Sequence, residues 1–291
     1  MPLNSSRLPE LVRDTQLQAI VQGATMIHPL RASRPRVPRE EKWTRVDNKI
    51  LGHGGGGMVW LEYKENSRRN QVRAVKGIPL AKFSQERYSE FFVKCYGWYE
   101  VTGWLCIAME YCEHGDLRKY LDDVGKMPED HVKEVTSQVL AGLAMMHEEG
   151  FAHGDLKPSN IFIKSKPPNE WWVKLCDLGL SKKAQDASGA STIRGTPGFW
   201  APEILGLDGK DPKKADPTKV DMWCLGETIV QMCTGKPAFD SLGDLLRYQQ
   251  GNASFPTARS ADLEAGRITV ALVHFIESLV KRNPSDRWRP S

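Results

Sequence analysis

The chain has 291 residues, 40% of them hydrophobic and 26% charged, the balance of a soluble globular protein with room for one large domain or two lobes. Its net charge of +4 is too mild to imply nucleic acid or a membrane surface as a partner, and no apolar run approaches the length of a membrane span. The six cysteines, Cys95, Cys106, Cys112, Cys176, Cys224 and Cys233, form no C-x-x-C pair, which favours a reducing intracellular compartment, cytoplasmic or nuclear, over a disulfide scaffold.

Residues 1–42 read as an N-terminal extension. MPLNSSRLPELVRD lacks the continuous apolar core of a signal peptide. LPELVRDTQLQAIVQ has the apolar spacing of a short amphipathic helix, and Arg31, Arg34, Arg36 and Arg39 crowd a proline-containing stretch that reads as a solvated linker. From Trp43 the pattern changes to short extended runs, KILGHG, MVWLEYK, VRAVKGI, FVKCYGWYE and WLCIAMEY, which predict a small antiparallel sheet with hairpin turns.

Within the first of these runs, ILGHGGGGMVWLE reads G-x-G-x-x-G-x-V at Gly52, Gly54, Gly57 and Val59. With 25 glycines in the chain such a triplet arises by chance about 0.2 times, so alone it decides nothing. Its setting is more telling. A dinucleotide-binding unit would open a helix here and a Walker loop would continue into Lys-Ser/Thr, whereas this run continues into the β-branched and aromatic MVWLEYK. The glycines therefore belong to a strand-turn-strand whose backbone N–H groups can fold over phosphates, and the next strand, Arg73-Ala74-Val75-Lys76, brings a lysine that can meet them.

After Glu110 the helices take over. EDHVKEVTSQVLAGLAMMHEEG places Val132, Val135, Val139, Leu143 and Met146 on one face and stops at Gly150; KVDMWCLGETIVQMCTG and RITVALVHFIESLVKRNP follow the same period. Between them stands HGDLKPSN, His153 to Asn160, an H-x-D-x-x-x-x-N pattern met by chance about 0.01 times in such a chain. KLCDLG then delivers Asp177 into a glycine turn, and GTPGFWAPE from Gly195, DMWCLG from Asp221 and Arg287 in NPSDRWRP complete an ordered series.

In order and spacing these motifs resemble the eukaryotic protein kinase family, serine/threonine type, from about Trp43 to the end of the chain. The resemblance implies an α+β, two-lobe fold: a small antiparallel β-rich lobe over about 43–110 and a larger helical lobe over about 111–291, lacking the family's final helix after Arg287. It implies an ATP- and Mg2+-dependent kinase acting on protein serine or threonine. Asp155 would accept the proton of the substrate hydroxyl, and Lys157 and Thr196 point to serine or threonine acceptors. Lys76 would pair with the α- and β-phosphates, and Asn160 and Asp177 would hold Mg2+ through hard oxygens. Gly52, Gly54, Gly57, Val59 and Ala74 would line the nucleotide, Met109 would stand as gatekeeper, the backbone of Glu110 and Cys112 would meet the adenine, and Asp116 would face the ribose or a basic substrate residue; its place at the start of a helix equally suits an N-cap. His153, Asp221, Glu203 and Arg287 read as scaffold.

The chain departs from the family in four places. Gly56 replaces an aromatic at the loop tip; Gly154 replaces the arginine before Asp155, so a phosphate at Ser188, Ser191 or Thr192 loses its usual clamp; the chain ends at Ser291; and the segment after Gly77 is short. Counting back from Phe92 puts the expected carboxylate partner of Lys76 near Leu80, leaving Glu86 and Glu90 as replacements. The alternative to an active kinase is therefore a pseudokinase-like nucleotide-binding module, and a regulatory protein partner or the extension is expected to support the shortened helix.

Overall fold

The computed structural model describes residues 17–30, 39–54, 57–67, 71–79, 90–101, 104–148, 150–176, 182–183, 195–256 and 268–290. The chain divides into two compact units, residues 1–89 with 93–111 and residues 90–92 with 112–291.

The first unit is one sheet of seven antiparallel strands: β1 Ile20–Gln22, β2 Thr25–Leu30, β3 Arg39–Gly54, β4 Gly57–Lys64, β5 Val72–Pro79, β6 Cys95–Val101 and β7 Trp104–Met109. Their order is β1-β2-β3-β4-β5-β7-β6, and Gly54 pairs with Gly57 across the glycine run. The backbone N–H of Leu17, three residues before edge strand β1, donates to the carbonyl of Trp98 on the opposite edge strand at 2.8 Å. Three residues reach at most about 10 Å, so the sheet must curl until its edges nearly meet. The interior holds Met26, Trp43, Trp60, Val75, Tyr99, Cys106 and Ala108, with Leu17 and Ala19 packed against them.

The extension thus differs from expectation. The last residues of LPELVRDTQLQAIVQ form β1, and Thr25–Leu30 forms a second added strand; Leu8 to Gln16 lie outside the described residues. The helical spacing was too short a signal against an available edge: β3, 16 residues long, offers unpaired backbone groups that another strand satisfies, and Met26 and Ile27 both become buried there.

In the second unit, α1 is Leu117–Val124, α2 Glu129–Glu148, β8 Phe151–Ala152, β9 Ile161–Ser165, β10 Trp172–Leu175, β11 Lys182–Lys183, α3 Pro217–Thr234, α4 Leu242–Gln249 and α5 Val270–Leu279. Strand β9 pairs with β10, and β8 with β11. The predicted face of α2 is the buried one: Val132, Val135, Val139, Leu143 and Met146 are all in the core. Helix α3 is buried on every side from Lys219 to Cys233, which is why its sequence is apolar nearly all round. It starts on Asp216, whose side chain accepts from Thr218 N, and stops at left-handed Gly235. At mid-helix a Cβ on Gly226 would lie 2.3 Å from Val280 Cγ1, so only glycine admits the end of α5. Helix α4, which its length of two turns hid from periodicity, is capped by Ser241.

Candidate active site

The loop joining β8 to β9 is held by one carboxylate. Asp221, fully buried on α3, accepts the backbone N–H of His153 at Oδ2 (2.8 Å) and that of Gly154 at Oδ1 (2.9 Å), while His147 at the end of α2 approaches Oδ2 at 2.9 Å. His153 is fully buried as well. Its Nδ1 accepts from Asp155 N, so its Nε2–H donates to the carbonyl of Cys176 at 3.1 Å. Gly154 adopts φ +80°, a conformation that glycine enters freely.

This frame presents Asp155. Its Oδ2 accepts from Lys157 Nζ at 2.7 Å and its Oδ1 from Thr196 Oγ1 at 2.8 Å, and Lys157 Nζ also meets Thr196 Oγ1. Asn160 Nδ2 donates to the Asp155 carbonyl (2.7 Å) and to its Oδ2 (3.2 Å), and Asn160 O accepts from Cys176 N. Acid, ammonium, hydroxyl and amide therefore form one cluster. Gly195 comes close enough that a Cβ there would meet Gly154 O at 3.4 Å. Burial, with the charges of Asp221, Asp155 and Glu203, pushes the Cys224 thiol well above its usual value, so this thiol is a donor, and it gives its hydrogen to Phe199 O at 3.2 Å. Farther along, Arg287 grips Glu203 through both guanidinium nitrogens, donates to the carbonyls of Lys219 and Lys281, and lies over the Trp223 ring at 5.0 Å.

In the first unit, register brings the nucleotide candidates to one face. Val59 stands opposite Lys76, and Lys76 opposite Ile107; Leu61 stands opposite Ala74, and Ala74 opposite Met109. Paired residues and those two apart share a face, so Val59, Ala74, Lys76 and Met109 lie together, with Gly52 paired to Val59 at the glycine end. Lys76 is 9% exposed. Glu110 directs its N–H to Lys94 O. In the second unit the Cys112 carbonyl takes Gly115 N, and Asp116 caps α1 by accepting Lys119 N at 2.9 Å, which is the capping role foreseen for it.

Asp177, Gly56, Leu80, Glu86, Ser188, Ser191 and Thr192 lie outside the described residues. Glu90 is exposed and its carbonyl receives Trp172 Nε1. Sequence reasoning passed over His147, whose only signal is a polar residue on the buried side of α2, and gave Thr196 too small a part. Among the described residues no group of three or more His, Cys, Asp or Glu could hold a metal ion. Asn160 spends its Nδ2 on Asp155, which leaves Oδ1 as the acceptor of the amide, a hard oxygen of the kind Mg2+ takes; Mg2+ accepts few protein ligands beside phosphates, so the donor chemistry fits.

A curled antiparallel sheet in one unit, and a helical second unit that carries this loop, are the features of a protein kinase fold. Residues 45–291 match the protein kinase domain model, and the chain belongs to that family. It is 33% identical over 248 residues to the serine/threonine-protein kinase RUNKEL of Arabidopsis thaliana, covering 82% of this chain and 17% of that protein. To cytokinesis protein sepH of Aspergillus niger it is 37% identical over 264 residues, 83% of this chain and 18% of that one. It is also 29% identical over 261 residues to human serine/threonine-protein kinase ULK1, 82% and 23% of the two chains. The chain thus spans about a fifth of these relatives. Among solved structures, Rad53 1-466 in complex with AMP-PNP matches with a TM-score of 0.68 at 26% identity, over 85% of this chain and 62% of that one.

Proposed function

We propose that the chain is a serine/threonine protein kinase that transfers the γ-phosphoryl group of ATP to a hydroxyl of a protein substrate. The observation that carries this is the Asp155 cluster: a carboxylate held by Lys157, Thr196 and Asn160 on a loop pinned by Asp221. Phosphoryl transfer requires alignment and charge neutralisation more than covalent help. Asp155 accepts the proton of the incoming hydroxyl; Lys157, bonded to it, offsets the charge that builds on the transferring group. Asn160 and Asp177 would hold Mg2+, which supplies neutralisation of the phosphate oxygens when bound. Lys76, beside Val59 and Ala74 on its sheet face, supplies the phosphate-binding cation. The AMP-PNP bound by the Rad53 structure supports ATP as the donor.

The reading as a pseudokinase-like module is set aside, because the acid, cation and amide that chemistry needs stand bonded as one unit. None of the six cysteines is in a disulfide, which suits an intracellular setting, cytoplasmic or nuclear; among the described residues no helix is long and apolar enough to cross a membrane. A regulatory protein partner remains part of the proposal. The test uses γ-labelled ATP with a generic protein acceptor and phosphoamino-acid analysis. Label on serine or threonine with the unaltered chain, and its loss in Asp155→Asn, is the expected result; equal labelling by both would overturn the assignment.

A further inference from the structure

The inner face of the first unit carries a buried polar cluster that the proposed chemistry does not use. Arg73, 2% exposed, gives Nε to Glu62 Oε2 at 2.9 Å and has Nη2 at 2.7 Å from the same oxygen. The same Nη2 lies 2.9 Å from His28 Nε2. A guanidinium only donates, so His28 Nε2 accepts, and its Nδ1–H goes to the Gln18 carbonyl at 2.8 Å. His28 also meets the Tyr99 ring edge-on at 5.3 Å. Glu62 Oε1 takes Trp60 Nε1 and Tyr99 OH, each at 3.0 Å, and the guanidinium lies over Trp43 at 4.4 Å. One cation therefore ties the added strand β2 to β4, β5 and β6.

Along β5 side chains alternate: Arg73 and Val75 face this interior, while Ala74 and Lys76 face the opposite way. Arg73 and Lys76 ride on the same four residues of strand, so whatever sets the seat of the guanidinium sets the seat of the lysine. Glu62 holds Nε and Nη2 of Arg73 from β4; His28 takes Nη2 from β2. Without His28 one buried N–H of Arg73 loses its acceptor, and a buried donor left unpaired draws its strand toward another partner.

We infer that His28 is a positioning residue for Lys76: through Arg73 it fixes the strand that presents the phosphate-binding lysine, which makes the extension a working part of the nucleotide site. This rests on the kinase reading given above. It separates two ligands, because Lys76 serves phosphates and not adenine, whereas a generally loosened lobe would weaken both alike.

Calorimetric titration of the full chain with Mg-ATP and with adenosine tests it. His28→Leu should weaken Mg-ATP by about tenfold, equivalent to about 1.4 kcal/mol of phosphate binding, and adenosine by less than about twofold. His28→Gln, which keeps an acceptor toward Arg73, should restore the unaltered ratio of the two affinities. Arg73→Lys retains the countercharge for Glu62 but loses the fork; it should reproduce the His28→Leu ratio, and it decides the matter if His28→Leu does not fold. An unchanged ratio in His28→Leu or Arg73→Lys, or equal losses on both ligands, would overturn the inference. Lys76→Met separates the two levels: if it binds Mg-ATP like the unaltered chain, the kinase reading of Lys76 fails and the inference with it, whereas loss in Lys76→Met with an indifferent His28→Leu sinks the inference alone.

Discussion

Two of the buried glutamates, one taken from each unit, show what partners do for a carboxylate. Glu62 in the sheet interior is 0% exposed and is met by Trp60, Tyr99 and the Nε and Nη2 of Arg73. Glu227 in α3 is 1% exposed, and Ala238 N at 3.3 Å is the hydrogen bond it receives. Charge costs several kcal/mol to bury unless it is paired and hydrogen-bonded. Glu62 is therefore paired and hydrogen-bonded, whereas burial pushes the Glu227 carboxyl up to about 8, which favours its neutral form. The first unit uses its carboxylate as a tie; the second carries one that only a proton makes tolerable.

The largest way to break that contrast is Glu62→Ala. It strands Arg73 as a buried unpaired cation and should lower stability by about 3 to 5 kcal/mol, read from urea unfolding followed through both units. A loss below 1 kcal/mol would mean that the tie is dispensable.

Asp221→Asn comes next. It replaces one acceptor oxygen by an amide nitrogen opposite the His153 and Gly154 N–H groups, and it should cost about 1 to 3 kcal/mol. Phosphoryl transfer should fall further than stability, since the loop presenting Asp155 shifts; unchanged turnover would contradict the frame described for that loop.

Protonation sharpens the comparison because the two units move in opposite directions. The folded chain keeps the Glu227 proton up to about 8, while the unfolded chain releases it near 4.5. Between those values the folded state holds more protons, so stability falls as pH rises, by up to about 1.4 kcal/mol per pH unit. Glu227→Gln should flatten this slope. His28 has the reverse sign: burial first, then the Arg73 cation, lowers it below 6.5, so the unfolded chain takes up a proton there that the folded one resists, and stability is lost as pH falls below 6.5. Unfolding curves from pH 5 to 9 for the unaltered chain, Glu227→Gln and His28→Gln check both signs.

The smallest effect expected is Asp116→Ala, which removes the cap of α1 at about 1 kcal/mol with little change in Mg-ATP affinity. A large loss of affinity would instead return Asp116 to the ribose role.

How much of this was legible follows from distance along the chain. The Asp155 loop was readable because its parts sit within eight residues, His153 to Asn160, and the pairing of Val59 with Lys76 because hairpin strands are neighbours in sequence. The His28–Arg73 bond joins residues 45 apart, and nothing local marks histidine in TMIHPL as the partner of an arginine three strands away in the sheet order. The same holds for His147 and Asp221, 74 apart. The helical spacing of LPELVRDTQLQAIVQ misled at its last residues, Ile20–Gln22, because edge pairing in a curled sheet outweighs the weak propensity of a short segment.

The central claim divides the reaction between a phosphate-binding lysine and a proton-accepting carboxylate, and the crossing of two variants tests it most directly. Mg-ATP affinity and phosphoryl transfer are measured on the same preparations of Lys76→Met and Asp155→Asn. The account predicts that Asp155→Asn binds Mg-ATP within about twofold of the unaltered chain while transfer falls by at least about a hundredfold, and that Lys76→Met loses affinity as well as transfer. Undiminished transfer by Asp155→Asn, or unaltered Mg-ATP affinity in Lys76→Met, would contradict it.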